Sequence, residues 1–223
     1  MPRIARAIAV GFPHHITQRG NYQQRVFAAE LDYKFYLSLV EEYSIKVNLE
    51  IWAYCLMPNH VHFIVVPRNP DSMAKCFSIV HTRYSQYFNR KTDRKGHLWQ
   101  SRFYSCVLDE IHLYAAVRYV ERNPIEAGLI KYIEGYKWSS AYFRINKISN
   151  RLLHPNCYLT KEITNWKEYF LQTDDKKVLE KLRTSTRTGR PAGSEKFIKQ
   201  IEVILGRTFE IRPMGRPRTS YKY

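Results

Sequence analysis

The sequence predicts an α+β fold: a mostly antiparallel sheet with helices packed on one face. Three observations predict it. Apolar residues switch between strand and helix spacing in the order β-α-β-β-α-β-α over residues 10–145. Pro58-Asn59 cuts a long β-branched and aromatic run into two pieces, as in an antiparallel hairpin. Two helical apolar stripes flank that hairpin and are long enough to cover a sheet.

His14–Arg19 reads as the first strand, ended by Gly20-Asn21. Leu31–Lys46 is helical by period, with Tyr36, Leu39, Val40 and Tyr43 at i, i+3, i+4 and i+7. Leu49–Met57 and His60–Val66 are the hairpin strands, and Pro67-Arg68-Asn69-Pro70 ends the second. Asp71 or Ser72 caps a helix running to about Arg90, with Met73, Phe77, Val80, Tyr84 and Tyr87 on its stripe and Lys75, Arg83 and Arg90 off it. The second half of Leu98–Leu108 is a strand. Asp109 caps a helix through Tyr114, Val117, Tyr119 and Val120, which Pro124 is expected to stop. A short helix is expected within Trp138–Ile145.

Beyond about residue 150 the character changes, which divides the chain into 1–150 and a basic extension, 151–223. Lys176–Tyr223 holds 13 basic and 4 acidic residues and two Gly-Arg-Pro triplets, centred on Arg190 and Arg216. Between them Ser194 caps an amphipathic helix with Phe197, Ile198, Ile201, Ile204 and Leu205 on one face. Extended Gly-Arg-Pro segments suit a narrow minor groove, so Arg190, Arg216 and nearby Arg218 are candidate DNA contacts.

Composition points to a polyanionic partner. The net charge is +16, from 36 Lys+Arg against 20 Asp+Glu, and nucleic acid is the commonest such partner. No apolar run is long enough to span a bilayer, so no membrane role is expected. The four cysteines are scattered without a C-x-x-C pair and read as reduced core thiols of a cytoplasmic protein. The polar, basic segment Gln18–Arg25 carries Arg19, Asn21 and Arg25 around Tyr22, a mix that touches phosphates and stacks on a base.

The chemistry centres on His60-Val61-His62. On a strand, residues two apart face the same way, so both imidazoles share a face and make half of a metal site. The best third ligand lies on the 110–123 helix, where Tyr119 and Asn123 stand at i and i+4. Two imidazoles and an amide oxygen leave open positions on a hard ion, which suits Mn²⁺ or Mg²⁺. A phenol is a weak nucleophile, with an ordinary pKa of ~10, but it serves when aimed at a phosphorus whose charge a metal neutralises. Tyr114 competes with Tyr119 but cannot share a face with Asn123. Two other readings fit the same residues. One is a hairpin or single-strand nucleic-acid-binding regulator without chemistry. The other is a zinc hydrolase with Glu121 or Glu126 as base. His14 or His15 is a candidate phosphate contact.

Met57–Val66 resembles the HUH motif (histidine, apolar residue, histidine) of single-tyrosine transposases. Arg118–Leu129 resembles the tyrosine helix of one branch of them, the REP-associated tyrosine transposases. So do Thr17–Asn21, Trp99–Phe103, Trp138-Ser139-Ser140, Gly189-Arg190-Pro191 and Gly193-Ser194-Glu195. The resemblance implies the HUH-nuclease fold, related to ferredoxin-like domains. It implies an endonuclease and strand transferase that cuts single-stranded DNA beside hairpin-forming repetitive extragenic palindromes. Tyr119 would form a 5′-phosphotyrosine and release a 3′-hydroxyl, while His60, His62 and Asn123 hold Mg²⁺ or Mn²⁺. Arg83 and Arg102 join the expected DNA contacts. Mobile relatives carry Gln where this chain has Asn123, which agrees with a domesticated, REP-associated protein. The resemblance implies a monomer or homodimer, bacterial and nucleoid-associated.

Overall fold

A computed structural model describes residues 5–209. The elements follow the expected order: β1 (His14–Arg19), α1 (Glu30–Lys46), β2 (Leu49–Met57), β3 (His60–Pro67), α2 (Ser72–Thr92), β4 (Tyr104–Val107) and α3 (Glu110–Glu126). Then come α4 (Ser140–Ile145), α5 (Leu159–Glu162), α6 (Trp166–Leu171), α7 (Lys176–Thr188) and α8 (Glu195–Leu205). The four strands form one antiparallel sheet in the order β2-β3-β1-β4.

The expectation of helices on one face is corrected: both faces are covered. Ile16, Tyr54, Leu56, Val61, Phe63 and Val65 pack under Tyr36, Phe77 and Tyr84 of α1 and α2. Cys55, Met57, Ile64, Val66 and Cys106 pack against Leu113, Ala116, Val117 and Val120 of α3 on the other side. The cause is in β2 and β3, which are apolar at successive rather than alternate positions. Such strands need cover on both sides.

The second correction is at Pro124, which lies inside α3 rather than ending it. Proline there removes the N–H that would bond the Val120 carbonyl. Asn123 Nδ2 reaches that carbonyl at 3.4 Å and the Tyr119 carbonyl at 2.6 Å, so the turn survives. The helix ends one turn later in a Schellman motif: Leu129 N–H bonds Pro124 O, Gly128 N–H bonds Ile125 O, and Gly128 takes φ +67°.

Trp138-Ser139-Ser140 closes the free edge of β2. Leu56 N–H donates to Trp138 O at 2.9 Å, Tyr136 Oη donates to Leu56 O at 2.7 Å, and Tyr54 N–H donates to Ser140 Oγ at 2.8 Å. An edge covered this way offers no unpaired ladder to another chain. Glu121, fully buried, bonds Ser140 Oγ and pairs with Arg144.

Residues after 150 add to the α3 face: Leu159, Tyr169, Phe170 and Leu182 join its core. The helix expected after Ser194 is α8, and Ser194 Oγ accepts from Phe197 N–H at 3.2 Å. Phe197 and Ile201 pack on Ala7, Ala9, Val107 and Phe209. All four cysteines are buried free thiols. Among the described residues, no helix is long and apolar enough to cross a membrane.

Candidate active site

The site is built where β3 and β1 pair under α3. Register places Arg19 opposite His60 and Thr17 opposite His62. His15, Thr17 and Arg19 therefore share a face with His60 and His62, the face α3 covers. The His60 and His62 rings stand 4.9 Å apart. His15 stacks on His62 at 5.2 Å, and the Tyr119 ring meets His62 edge-on at 5.8 Å and His15 at 6.1 Å. So the sheet's histidine pair and the phenol of a distant helix do converge. Asn123 lies one turn along α3 from Tyr119, held by the bond to the Tyr119 carbonyl.

Hydrogen bonds fix how each donor is presented. Asn59 Oδ1, which can only accept, lies 2.6 Å from His60 Nδ1, so that nitrogen carries the proton. Thr186 Oγ1 donates to Leu182 O at 2.8 Å and accepts from His15 Nδ1 at 2.8 Å. His15 Nε2 is then a lone pair and accepts from His62 Nδ1 at 2.9 Å. Both ligand candidates are thus protonated on Nδ1, with Nε2 left as the ligating nitrogen. Asn123 spends its NH₂ on helix carbonyls, so Oδ1 is the atom it could offer to an ion. Burial, and then the Arg19 charge, pushes His60 down to about 4. Burial holds His62 well below the ordinary histidine value, helped by the neighbouring His60, His15 and Arg19. Both are neutral near pH 7, the form that binds metal.

Neutral imidazole nitrogens and an amide oxygen are donors of the kind that a hard divalent ion with open positions takes. Among the described residues, no group of three His, Cys, Asp or Glu could hold a metal. A closed zinc site of those ligand types is therefore absent there; the candidate donors are the two imidazoles and the Asn123 amide oxygen. Of the two carboxylates that the zinc-hydrolase reading offers as base, Glu121 is committed to Ser140 and Arg144.

The sequence profile of the IS200-like transposases matches residues 10–123, from the strand before the histidines to Asn123 itself. The chain belongs to the IS200-like transposase family. This transposase resembles the solved REP-associated tyrosine transposase bound to a REP hairpin, with a TM-score of 0.53 and 18% identity over 70% of this chain and 93% of that one. A Deinococcus radiodurans R1 protein assigned as a transposase gives a TM-score of 0.38 and 18% identity over 54% of this chain and 97% of that one. No curated protein matches. The fold is therefore that of the REP-associated transposase, the HUH-nuclease α+β fold expected from the sequence.

The expected DNA contacts of the transposase divide into groups. Arg19 and Arg25 are exposed and Asn21 is half-buried in the segment beside His60, and exposed Arg102 follows the neighbouring loop. Backbone bonds lace these segments together: Gly20 N–H to Asn59 O, Asn21 N–H to Leu98 O, Gln100 N–H to Arg19 O. Arg83 is not with them. It lies on α2, across the sheet from the histidines, over the Tyr43 ring. Arg190 is not on an extended hook. Gly189 caps α7 at φ +77°, and Arg190 Nε donates to Phe209 O at 3.1 Å. Arg216 and Arg218 lie outside the described residues. His14 and His15 are not phosphate contacts, since both are buried with both ring nitrogens engaged: His14 by Phe12 O and Ala9 N–H, His15 by Thr186 and His62.

Sequence reasoning missed two residues at this site, Arg183 and Thr186. The Arg183 guanidinium carbon is 5.1 Å from the Tyr119 ring centroid, and Thr186 bonds His15. Neither belongs to an apolar period or a ligand motif.

Proposed function

We propose that this transposase is a divalent-ion-dependent endonuclease and strand transferase acting on single-stranded DNA beside a hairpin, through a 5′-phosphotyrosine on Tyr119. The observation that carries the reading is the Tyr119 ring edge-on to His62, beside His60. The REP hairpin bound by the structural relative supports a hairpin as the substrate.

His60 Nε2, His62 Nε2 and Asn123 Oδ1 would hold Mn²⁺ or Mg²⁺. When bound, the ion neutralises charge on the scissile phosphate and polarises its oxygens. The Tyr119 oxygen attacks phosphorus and the P–O3′ bond breaks. The phenol proton goes to solvent. The 3′-oxygen leaves with its electron pair, takes up a proton and becomes the 3′-hydroxyl. A new O–P bond replaces the old one, so the reverse attack by a 3′-hydroxyl rejoins a strand and frees the tyrosine. Arg19, Asn21, Arg25 and Arg102 hold the strand at the rim by its phosphates.

The test is incubation of a hairpin-bearing single strand with the protein and Mn²⁺ or Mg²⁺. A nick and a denaturant-stable protein–DNA adduct are expected, both lost in Tyr119→Phe and with chelator. If Tyr119→Phe cuts as well as the native protein, the reading is wrong. Hairpin binding without any adduct would leave a non-catalytic hairpin-binding regulator.

A further inference from the structure

The sequence marks the basic extension as an accessory DNA grip; in the structure its helix α7 also presents two residues to the cluster of His15, His62 and Tyr119. Arg183 and Thr186 are three apart and so neighbours on the helix surface. Thr186 is buried and starts the chain of hydrogen bonds that ends on His62: Leu182 O, Thr186 Oγ1, His15, His62 Nδ1. The Leu182 carbonyl only accepts, so with Thr186 donating to it the hydroxyl oxygen accepts from its other neighbours, His15 Nδ1 and the Cys106 thiol at 3.1 Å. Arg183 is exposed, with its guanidinium beside the Tyr119 ring. Among the described residues no carboxylate pairs with it, so its planar fork of donors is open to a ligand. Packing does not need an exposed arginine at that position.

We propose that α7 is a working wall of the active site: Arg183 binds the phosphate that Tyr119 attacks, and Thr186, acting through His15, holds His62 with Nε2 outward. This rests on the phosphotyrosine reading and deepens it. Attack on a phosphodiester spreads negative charge over the non-bridging oxygens, and a guanidinium matches two of them with parallel hydrogen bonds. Its guanidinium carbon lies 5.1 Å from the centroid of the nucleophile's ring, which brings a positive charge to the side chain that attacks. Thr186 and His15 are positioning residues. Their role is the one outer partners play for metal-binding histidines, fixing tautomer and ring orientation.

The experiment uses the full chain and four variants: Thr186→Val, Thr186→Ser, Arg183→Ala and Arg183→Lys. In the metal-free protein, ¹⁵N–¹H correlation spectra of the histidine rings are expected to show His62 protonated on Nδ1. Thr186→Val should mix its tautomers and weaken Mn²⁺ binding by about tenfold, read by electron paramagnetic resonance. Thr186→Ser should restore both, and the His81 signals on the far face should not move. A native His62 tautomer and native Mn²⁺ affinity in Thr186→Val would overturn the relay. Arg183→Ala should slow single-turnover adduct formation by roughly a hundredfold or more, with hairpin affinity changed far less and Mn²⁺ affinity unchanged. Arg183→Lys should recover part of the rate. Arg183→Ala forming adduct at the native rate, or losing only hairpin affinity, would overturn the phosphate role. Because the tautomer and Mn²⁺ readings need no cleavage, a native protein that never forms adduct sinks the phosphotyrosine reading, and Arg183's role with it, while the relay is still judged.

Discussion

Acidification should unfold this protein well above the pH at which its carboxylates titrate, because several histidines are buried in the neutral form. Burial pushes His14 down to about 4, His15 to about 3, His60 to about 4 and His81 to about 3. These folded values lie below the unfolded value of 6.5. Between the two, the unfolded chain binds protons that the folded chain refuses, so stability is complete above about pH 6.5 and is lost as pH falls toward 4. Going from about pH 7.5 to about pH 5.5 costs about 1.4 kcal/mol per histidine, or roughly 5 kcal/mol for four. Domains hold only about 5–15 kcal/mol in total. With a urea dependence of about 1–3 kcal/mol per molar, the midpoint should fall by about 2 M or more. The assay is urea unfolding by circular dichroism at the two pH values, with chelator present so that no ion competes for His60. His81, bonded to Tyr36 Oη at 2.9 Å and remote from the site, supplies the control. In His81→Gln the pH-dependent loss should shrink by about a quarter. An unchanged urea midpoint between the two pH values would show that these imidazoles are not held buried and neutral.

Other consequences are more local. Tyr22 is 93% exposed, it and Gln23 take φ of 50° and 58° in the left-handed region, and Asn59 Nδ2 donates to the Gln23 carbonyl at 3.4 Å. Tyr22→Ala should weaken hairpin binding in fluorescence anisotropy by about 1–3 kcal/mol, the range for one stacked base, without lowering the melting temperature; equal affinity would remove the stacking role. A Cβ on Gly20 would lie 2.5 Å from the Gln24 carbonyl oxygen and 2.7 Å from Val26 Cγ1. Gly20→Ala should therefore displace that loop and lower both thermal stability and hairpin affinity, and a variant native in both would contradict the packing. Ser140→Ala strips partners from Tyr54 and from buried Glu121. A loss of about 1–3 kcal/mol is expected in calorimetry, and a smaller one would mean that the network is replaceable.

Much of the fold was readable because its elements announce themselves by apolar spacing. Leu49–Met57 matches β2 to the residue, and α1 and α2 start within a residue of their expected positions. The spacing i, i+2 on a strand puts His60 and His62 on one face, and i, i+4 on a helix does the same for Tyr119 and Asn123; that the Tyr119 ring meets His62 is seen only in the structure. What failed did so for stated reasons. The order of elements predicts helices on one face only, and it takes no account of apolar residues at successive positions of β2 and β3, which call for cover on both. Pro124 was read as a stop, because the rescue by Asn123 is a side-chain effect that no period shows. Helix α7 was missed because its buried side includes Ser185 and Thr186 rather than a full apolar stripe, so a charged segment concealed it. His15 looked like a phosphate contact because a histidine's partners cannot be read from its neighbours in sequence.

The proposed ligands carry a prediction about the order of assembly. His60, His62 and Asn123 bring no negative charge, and Arg19 and Arg183 add positive charge nearby. A divalent ion placed there is short of counter-charge until a phosphodiester arrives, and the phosphodiester is short of cation until the ion does. The two should therefore bind with positive coupling, and linkage makes the factor equal in both directions. A coupling of about 1–3 kcal/mol would raise Mn²⁺ affinity about 5–150-fold when an uncleavable hairpin is present, and raise hairpin affinity equally when Mn²⁺ is present. Calorimetric titration of each in the presence and absence of the other measures both arms. Identical Mn²⁺ affinity with and without the hairpin would mean that the phosphate does not complete this site, and would place the ion's ligands elsewhere.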